Sequence, residues 1–260
     1  MSVPHIHPTA MVAAGAKLAD DIRIGAYSII GEEVAIGPGT SVAEHVVIRG
    51  RTRIGANNRI FQFNSIGDAP QDKKYAGEPT ELVIGDGNMI REFCTLNTGT
   101  VLDQGVTRIG HRNWIMAYVH VAHDCVVGDD TVLANGVTLG GHVRVGDFTI
   151  LGGFTAVHQH CRIGAHCMLG GGSIVVQDVP PYVIANGNSA APHGVNTEGL
   201  KRRGFAPEAI AAIRRAYKTL YKSGLLLEEA RTQLAAESAA HPELLPLVEF
   251  LAAPGRGIIR

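Results

Sequence analysis

Residues 109–151 read IGHRNWIMAYVHVAHDCVVGDDTVLANGVTLGGHVRVGDFTIL, and this segment decides the fold. It places a large aliphatic side chain at every sixth position: Ile109, Ile115, Val121, Val127, Leu133, Leu139, Val145 and Leu151. A period of six fits neither an α-helix nor a strand of strict alternation over such a length. It fits a short strand and a turn, repeated, with one large side chain pointing inward in each unit.

The six-residue spacing extends over most of the chain. It runs from Ile6 to Ile66, from Ile84 to Leu102 and from Ile109 to Val175, which makes 27 positions. Three units close a triangular coil, and successive coils stack at the strand spacing of ~4.8 Å. We therefore predict a mainly β protein, built as a parallel β-helix of about nine coils.

Small residues occupy the position two places before many of the large aliphatic side chains. Ser28, Thr40 and Thr131 are examples. All four cysteines take the same inward position: Cys94, Cys125, Cys161 and Cys167. We interpret them as packing residues and not as nucleophiles, which argues against covalent catalysis by cysteine.

The overall composition excludes several classes of protein. The 23 basic and 24 acidic residues nearly balance, so no general nucleic-acid partner is expected. No apolar stretch approaches the ~20 residues of a transmembrane segment, and the first residues lack the pattern of a signal peptide. Four cysteines without a CxxC pair indicate neither a disulfide framework nor a zinc ribbon. We expect a cytoplasmic protein.

Two segments interrupt or end the repeat. Residues 67–83 carry Asp72 and Glu78 at two expected core positions, so we predict an excursion loop, either functional or a tolerated insertion. After Val175 a Pro- and Asn-rich connection leads to a helical pattern. We divide the chain into a β-helix of residues 1–190 and an α-helical domain of residues 191–260.

Three helices are predicted in the C-terminal part. Pro207 suits a first helical turn, and Gly224 suits a C-terminal cap. Two further helices are expected at about 227–239 and 242–252. Between residues 200 and 222, seven basic residues face one acidic residue, Glu208. This asymmetry indicates either an acidic partner or a solvated helix face.

Histidines cluster at one edge of the predicted prism. Residues 18 apart lie in one column of adjacent coils, so Val121, Leu139 and Val157 form such a column. Five of the twelve histidines lie within three residues of a member of this column: His120, His123, His142, His158 and His160. We expect them to gather at one edge across three consecutive coils.

Three interpretations of the histidine cluster compete. Zinc binding needs three imidazoles that converge on one ion at ~2.0–2.1 Å. A ladder of hydrogen-bonded imidazoles would be purely structural. Acid–base catalysis is favoured by the segment His120-Val121-Ala122-His123-Asp124, because Asp124 can orient an imidazole and stabilise its protonated form.

The repeat resembles that of the hexapeptide acyltransferases, whose members form left-handed parallel β-helices. Longer motifs resemble the UDP-N-acetylglucosamine 3-O-acyltransferases: QDKKYAGEPT (71–80), AHDC (122–125), TAVHQ (155–159), QDVPPYVIANGN (177–188) and GVNTEGLKRRGF (194–205). The resemblance implies a homotrimer with active sites between subunits. It also implies direct transfer of a 3-hydroxyacyl chain from acyl carrier protein to the 3-hydroxyl of UDP-N-acetylglucosamine, the first step of lipid A biosynthesis, without cofactor or metal.

The resemblance also implies roles for individual residues. His123 matches the general base, Asp124 its partner, and the backbone N–H of Gly141 the oxyanion donor. Residues matching sugar-binding or substrate contacts are Gln71, Asp72, Lys74, His120, His142, His158 and Gln159. Residues matching the nucleotide and carrier side are Asn196, Glu198, Arg202 and Arg203.

Gly171 matches the position that limits acyl-chain length in the family. It lies 48 residues beyond His123, or ~13 Å if the chain follows the prism axis, which roughly ten carbon–carbon bonds span. Because glycine leaves the groove open, we expect chains of about twelve to fourteen carbons.

Two departures and two alternatives accompany this resemblance. Asn97-Thr98 stands where many relatives have His-Arg, so a contact to the phosphates or the carrier is expected to change. Ser189 replaces another expected histidine. An N-acyltransferase of the same pathway is the nearest enzymatic alternative, but it would carry an additional N-terminal domain. A non-catalytic β-helix scaffold is the other.

Overall fold

The computed structural model describes residues 5–253 and 255–260. It contains 28 short strands in these residues. In chain order they are β1 His5–Ile6, β2 Met11–Val12, β3 Lys17–Leu18, β4 Arg23–Ile24, β5 Ile29–Ile30, β6 Ala35–Ile36, β7 Ser41–Val42, β8 Val47–Ile48, β9 Arg51–Ile54, β10 Arg59–Ile60, β11 Ser65–Asp68, β12 Glu81–Ile84, β13 Met89–Ile90, β14 Thr95–Asn97, β15 Val106–Ile109, β16 Trp114–Ile115, β17 His120–Val121, β18 Val126–Val127, β19 Val132–Leu133, β20 Thr138–Leu139, β21 Arg144–Val145, β22 Ile150–Leu151, β23 Ala156–Val157, β24 Arg162–Ile163, β25 Met168–Leu169, β26 Ile174–Val175, β27 Val183–Asn186 and β28 Ala191–Val195.

The strands form the three faces of a prism. Sheet A runs β1-β4-β7-β10-β13-β16-β19-β22-β25-β27-β28, sheet B runs β2-β5-β8-β11-β14-β17-β20-β23-β26, and sheet C runs β3-β6-β9-β12-β15-β18-β21-β24. Most pairings are parallel and join residues 18 apart, such as Val121 with Leu139 and Leu139 with Val157. The predicted triangular coil of 18 residues is thus confirmed.

The core consists of the predicted aliphatic positions. From Ile24 to Val175 these side chains are almost fully buried, and only Leu102 among them is exposed. Ser28, Thr40, Thr131 and the four cysteines are also buried, which confirms the small inward position. Ile6, Val12 and Leu18 are more accessible because they belong to the first coil, which has a neighbouring coil on one side only.

The three corners of the prism are made by residues in the left-handed backbone region. Among the described residues, fifteen other than glycine have φ between 55° and 72°. The AB corner, between sheets A and B, includes Tyr27, His45, Phe63, Phe93, Tyr118 and Phe154; the BC corner includes Asp124, His142 and His160; the CA corner includes Asn57, Arg112, Asp130, Phe148, His166 and Tyr182. Stacked side chains at the AB and CA corners cover the turns, as in Phe63 on Phe93 at 5.1 Å.

The repeat is interrupted differently from the prediction at one position. Ile84 pairs with Ile54, and Ile109 with Ile84, so two coils contain extra residues. These form a first loop of residues 69–80 and a second loop of residues 98–105, both at the BC corner. Leu102 was predicted to be a core residue, and this is wrong: it lies in the second loop with 64% of its surface exposed. Leu102 is aliphatic and lies six residues after Leu96, so it matched the repeat although it belongs to a loop.

The helical segment begins slightly later than the predicted boundary at residue 191. β28 pairs antiparallel with β27, and helix α1 (Thr197–Arg202) follows it. Helices α2 (Pro207–Lys222), α3 (Leu227–Ser238) and α4 (Leu245–Ala252), with a 3₁₀ turn Pro242–Leu244 before α4, confirm the three predicted helices. The hexapeptide pattern has ended before β28, so no periodicity indicated this strand.

The C-terminal residues close one end of the prism. Tyr217 and Tyr221 of α2 contact the β-helix core, and Ile259 is buried within it. Asp178 is fully buried, pairs with the Arg162 guanidinium at 2.7 Å and donates its N–H to the carbonyl of Gly257. No helix in the described residues is both long and apolar enough to cross a membrane.

Candidate active site

The centre of the candidate site is a histidine paired with a buried carboxylate. His123 Nδ1 lies 2.9 Å from Asp124 Oδ2, and the Asp124 side chain is almost completely buried. Asp124 also accepts hydrogen bonds from the backbone N–H and the hydroxyl of Thr100. Because a carboxylate only accepts hydrogen bonds, it places the proton on Nδ1 and leaves His123 Nε2 as the basic nitrogen.

The corner itself holds Asp124 in place. Asp124 has φ of +58°, a conformation that aspartate adopts more readily than most residues. Its N–H donates to the hydroxyl of Thr107 on the preceding coil. In the next coil the N–H of His142 donates to the carbonyl of His123 at 3.0 Å. The repeat thus stacks the functional residues by backbone hydrogen bonds between coils.

Gly141 lies directly beside the His123 imidazole. A Cβ atom at this position would stand 2.5 Å from Cε1 and 2.6 Å from Nε2 of His123. In the described residues the Gly141 N–H donates to no other group. The residue that carries this free donor therefore lies directly against the His123 ring, which is compatible with an oxyanion site beside a base.

Two further imidazoles stand on the BC corner. The His142 ring stacks on His160 with centroids 4.3 Å apart and meets His123 edge-on at 5.0 Å. His142 Nδ1 lies 3.0 Å from Asp103 Oδ2 in the second loop. Burial, reinforced by the positive charges of His142 and Arg256, lowers the pKa of His160.

The other predicted histidines lie on the flank of this corner. His120 is on sheet B, with its Nδ1 2.7 Å from the Thr95 hydroxyl. Burial, followed by the charge of His123, lowers the pKa of His120, so its neutral form is favoured. His158 and Gln159 are exposed, and His158 Nδ1 lies 3.1 Å from the carbonyl of Gln159.

The first loop stands at the same corner and is internally ordered. The carboxylate of Asp72 accepts a hydrogen bond from the N–H of Lys74, and Tyr75 donates its hydroxyl to the carbonyl of Glu78. Gln71 and Lys74 are exposed and Asp72 is half-buried. The loop is therefore a preformed polar surface next to the histidines.

One departure from the family pattern, Asn97-Thr98, holds this loop. Asn97 donates to the carbonyl of Ala69 at 2.8 Å, and the hydroxyls of Thr98 and Thr80 lie 3.1 Å apart. Both Asn97 and Thr98 are buried, so they fix the two ends of the loop instead of facing solvent. Ser189 is exposed in the turn between β27 and β28.

The remaining predicted residues lie at other corners. Asn196 caps α1 through Gly199 and donates to the carbonyl of His166 at the CA corner. Arg203 lies over the Phe148 ring at the same corner, and Glu198 pairs with Lys201. Arg202 is exposed on α1. The structure does not bring these side chains to His123 of the same chain.

Gly171 lies at the AB corner, at the end of sheet A. It follows β25 and therefore stands one whole face away from His123. The expected straight path along the prism axis from His123 to Gly171 does not exist within one chain, because the two residues belong to different columns. A Cβ at Gly171 would lie 3.2 Å from the carbonyl oxygen of Gly153.

A basic groove lies on the helical domain. It has a volume of about 410 Å³ and is lined by Lys201, Arg214, Arg215 and Lys218 around Phe205 and Ile210. Arg214 donates to the Thr197 hydroxyl, and Arg215 contacts His241. Four of the seven basic residues noted in the sequence therefore line one surface.

The cysteines are unsuited to nucleophilic chemistry. All four are free and buried. Burial raises the pKa of Cys94, Cys125 and Cys167 to about 12 and that of Cys161 to about 11. They remain protonated thiols at neutral pH.

A metal ion would find one set of ligands in the described residues. Ligand atoms of His123, Asp124 and His142 lie within 4.8 Å of one another. The Nδ1 atoms of both imidazoles already face carboxylates, Asp124 and Asp103. The set contains two imidazoles and one carboxylate, whereas the zinc interpretation required three imidazoles on one ion.

Three residues of the site were missed in the sequence: Thr100, Asp103 and Thr107. Thr100 and Asp103 lie in the second loop, which was concealed because Leu102 fitted the repeat. The available signal was the step of seven residues between Leu102 and Ile109, because every other step is six or, across the first loop, a multiple of six.

Comparisons with known proteins identify the family of this chain. Residues 178–259 match the family described as UDP N-acetylglucosamine O-acyltransferase, domain 2, and residues 106–141 match the bacterial transferase hexapeptide family. The acyl-[acyl-carrier-protein]–UDP-N-acetylglucosamine O-acyltransferases of Thiobacillus denitrificans and Verminephrobacter eiseniae are 64% and 56% identical; each comparison covers 98% of this chain and 99% of the relative. The crystal structure of UDP-N-acetylglucosamine O-acyltransferase from Moraxella catarrhalis has 48% identity and a TM-score of 0.97, and covers 98% and 99% of the two chains.

The prism and its histidine corner define a left-handed β-helix transferase of the hexapeptide class. Within that class, the chain belongs to the acyl-[acyl-carrier-protein]–UDP-N-acetylglucosamine O-acyltransferase family. The resemblance found in the sequence and the predicted fold class are confirmed.

Proposed function

We propose that this enzyme transfers a 3-hydroxyacyl chain from acyl carrier protein to the 3-hydroxyl of UDP-N-acetylglucosamine, the first step of lipid A biosynthesis. Family membership supports the donor and the acceptor. The observation that carries the chemistry is the placement of the His123 ring directly beside Gly141, with Nδ1 held by buried Asp124.

The proposed reaction is direct and needs no covalent enzyme intermediate. His123 Nε2 removes the proton of the sugar 3-hydroxyl while its oxygen attacks the thioester carbonyl carbon. The developing oxyanion accepts a hydrogen bond from Gly141 N–H. The tetrahedral intermediate collapses, the carbon–sulfur bond breaks, and the leaving thiolate takes the proton from the imidazolium. Asp124 stabilises that imidazolium throughout.

A homotrimer with sites between subunits is part of this proposal. The second half of sheet A carries an outward apolar row: Met89, Trp114, Val132, Ile150 and Met168. Trp114 is 48% and Met168 42% exposed in the single chain. An apolar row of this size marks an interface, and we propose that a second copy of this chain covers it. Gly171 lies at its edge.

The separated corners support the same assembly. Residues matching the nucleotide, carrier and chain-length contacts lie at the CA and AB corners, whereas the general base lies at the BC corner. One chain cannot bring them to one substrate. A neighbouring copy that presents another corner to His123 would complete the site.

The basic groove supports an acidic partner, which we propose to be acyl carrier protein. Lys201, Arg214, Arg215 and Lys218 offer it a positive surface. A cytoplasmic location is also proposed. Four unpaired cysteines in the chain are typical of a reducing compartment.

The test is transfer from 3-hydroxyacyl carrier protein to UDP-N-acetylglucosamine, with product analysis by mass and by lability to hydroxylamine. We expect an ester, which hydroxylamine cleaves. Wild type and His5→Ala, an exposed histidine of the first coil, should be active and His123→Ala inactive. Amide formation on an amino-sugar acceptor, without ester formation, would contradict the proposal in favour of the N-acyltransferase alternative.

The assembly has its own test. Sedimentation should give a trimer for wild type and for Arg59→Glu, which lies on the polar half of sheet A. Trp114→Glu should dissociate the trimer, because a carboxylate would be buried in the apolar row. A monomeric wild-type protein would contradict the shared site.

A further inference from the structure

The second loop, residues 98–105, contacts His142 directly and His123 through Asp124. It leaves the prism at the BC corner between β14 and β15. Its Thr100 donates through N–H and hydroxyl to Asp124, which in turn holds His123. Its Asp103 faces His142. One short loop thus contacts both the His123–Asp124 pair and His142.

The contact between Asp103 and His142 has well-defined surroundings. Asp103 Oδ2 lies 3.0 Å from His142 Nδ1, and the two side chains are 36% and 16% exposed. The other ionisable groups that face His142 are Asp124, with Oδ2 3.9 Å from its Nδ1, and the rings of His123 and His160. The positive charge of Arg256 acts on His160 from the C-terminal segment. Asp103 is the group in hydrogen-bond contact with Nδ1.

We propose that Asp103 is a positioning residue for substrate binding by His142, an inference that rests on the proposed function. The carboxylate holds the proton on Nδ1 and fixes the ring on His160. His142 Nε2 is then a hydrogen-bond acceptor for an O–H or N–H group of the substrate. Without the carboxylate the ring loses both its orientation and its preferred tautomer.

The experiment combines histidine NMR with kinetics on the full-length protein. In ¹⁵N-histidine-labelled protein without substrate, the His142 signals of wild type should report a proton on Nδ1. Asp103→Ala should shift the neutral ring toward the Nε2–H tautomer. The KM for one of the two substrates should rise about 3- to 10-fold, with kcat changed less than about twofold, as expected for loss of a partly exposed ionic hydrogen bond.

Two variants make the result specific. Asp103→Glu should restore part of the KM and of the Nδ1–H signal, because a carboxylate is present again. Leu102→Ala, an exposed neighbour in the same loop, should leave both readouts at wild-type values. Each of these outcomes supports a positioning role over a general effect on the loop.

Two results would overturn the inference. One is an unchanged His142 tautomer in Asp103→Ala, and the other is a changed tautomer with wild-type KM values for both substrates. The NMR readout needs no substrate. Absence of acyl transfer in the wild type would therefore contradict the proposed function separately, while the effect of Asp103 on His142 would still be measured.

Discussion

His123 and Gly141 stand so close that a Cβ on Gly141 would come within 2.6 Å of the imidazole Nε2. Gly141 is not among the glycines with positive φ, so its own backbone does not demand glycine. The neighbouring His123 ring requires glycine, because it leaves no space for a Cβ atom. The contact leaves no space for a side chain between residue 141 and the proposed general base, so the absence of that side chain is part of the proposed site.

Gly141→Ala should therefore lower kcat while the β-helix remains folded. The new methyl group must displace the His123 ring, and a displacement of about 1 Å can cost about 10²-fold in rate. Circular dichroism and steady-state kinetics would measure the two effects. Gly153→Ala is a matched control, since its Cβ would lie 3.4 Å from the Asn135 carbonyl oxygen. Wild-type kcat in Gly141→Ala would contradict the assigned geometry.

His123→Ala should lower kcat by at least ~10²–10⁴, the range for loss of a general base. The assembly should be unaffected, because the His123 side chain lies at the corner and outside the aliphatic core. Turnover and sedimentation together test this. Activity within threefold of wild type, with substrate binding retained, would remove His123 from the mechanism.

His166 should make stability depend on pH. Burial, followed by the charge of Arg203, lowers the pKa of His166, which stacks between Phe148 and Tyr182. The folded state then binds fewer protons than the unfolded chain. The contribution of His166 to stability is complete above about pH 6.5 and is lost as the pH falls below that value.

The variant His166→Phe tests this dependence. Phenylalanine already occupies the left-handed corner position at Phe148, so the backbone accepts it. Urea unfolding at about pH 7.5 and about pH 5.5 should show a smaller loss of unfolding free energy for His166→Phe than for wild type. The exposed-site variant His5→Gln should keep the wild-type loss. Equal losses in wild type and His166→Phe would rule out the effect.

Reversal of charge in the basic groove should weaken the donor complex. Arg214→Glu and Arg215→Glu should raise the KM for acyl carrier protein at least about threefold, with little change in the KM for the sugar nucleotide. Raised salt should weaken wild type similarly, since exposed charges are screened beyond ~8–10 Å. Lys17→Glu, a charge reversal on sheet C outside the groove, is the matched control and should leave this KM unchanged. A salt-independent KM would contradict electrostatic docking.

Gly171→Met should shift the preferred donor from fourteen toward ten carbons. A Cβ there would contact only the backbone of Gly153, with its carbonyl oxygen at 3.2 Å and its nitrogen at 3.8 Å, so a longer side chain extends outward from the corner. Competition between the two donors measures the shift, and Gly171→Ala should produce a smaller one. An unchanged preference would show that Gly171 does not limit the acyl chain.

The BC corner shows how far the sequence predicts the site. His123, Asp124 and Gly141 follow from the spacing of 18 and from the family motif, because a strict repeat converts sequence separation into position. Asp103 and Thr100 could not be placed, because an insertion breaks that conversion. For Asn196, the family motif predicts a substrate contact. In the structure its amide oxygen accepts a hydrogen bond from Gly199 N–H at the start of α1, and its amide nitrogen donates to the carbonyl of His166.

The sequence by itself determined the triangular coil, the buried aliphatic columns, the inert cysteines and the edge on which the histidines gather. Each of these depends on contacts between residues at a constant separation, so local periodicity is sufficient. Only the tertiary structure decided that Asp103 faces His142 and how Asn97 and Thr98 anchor the first loop. These depend on loops and side chains whose partners lie at irregular separations, and their positions are set by packing instead of by the repeat.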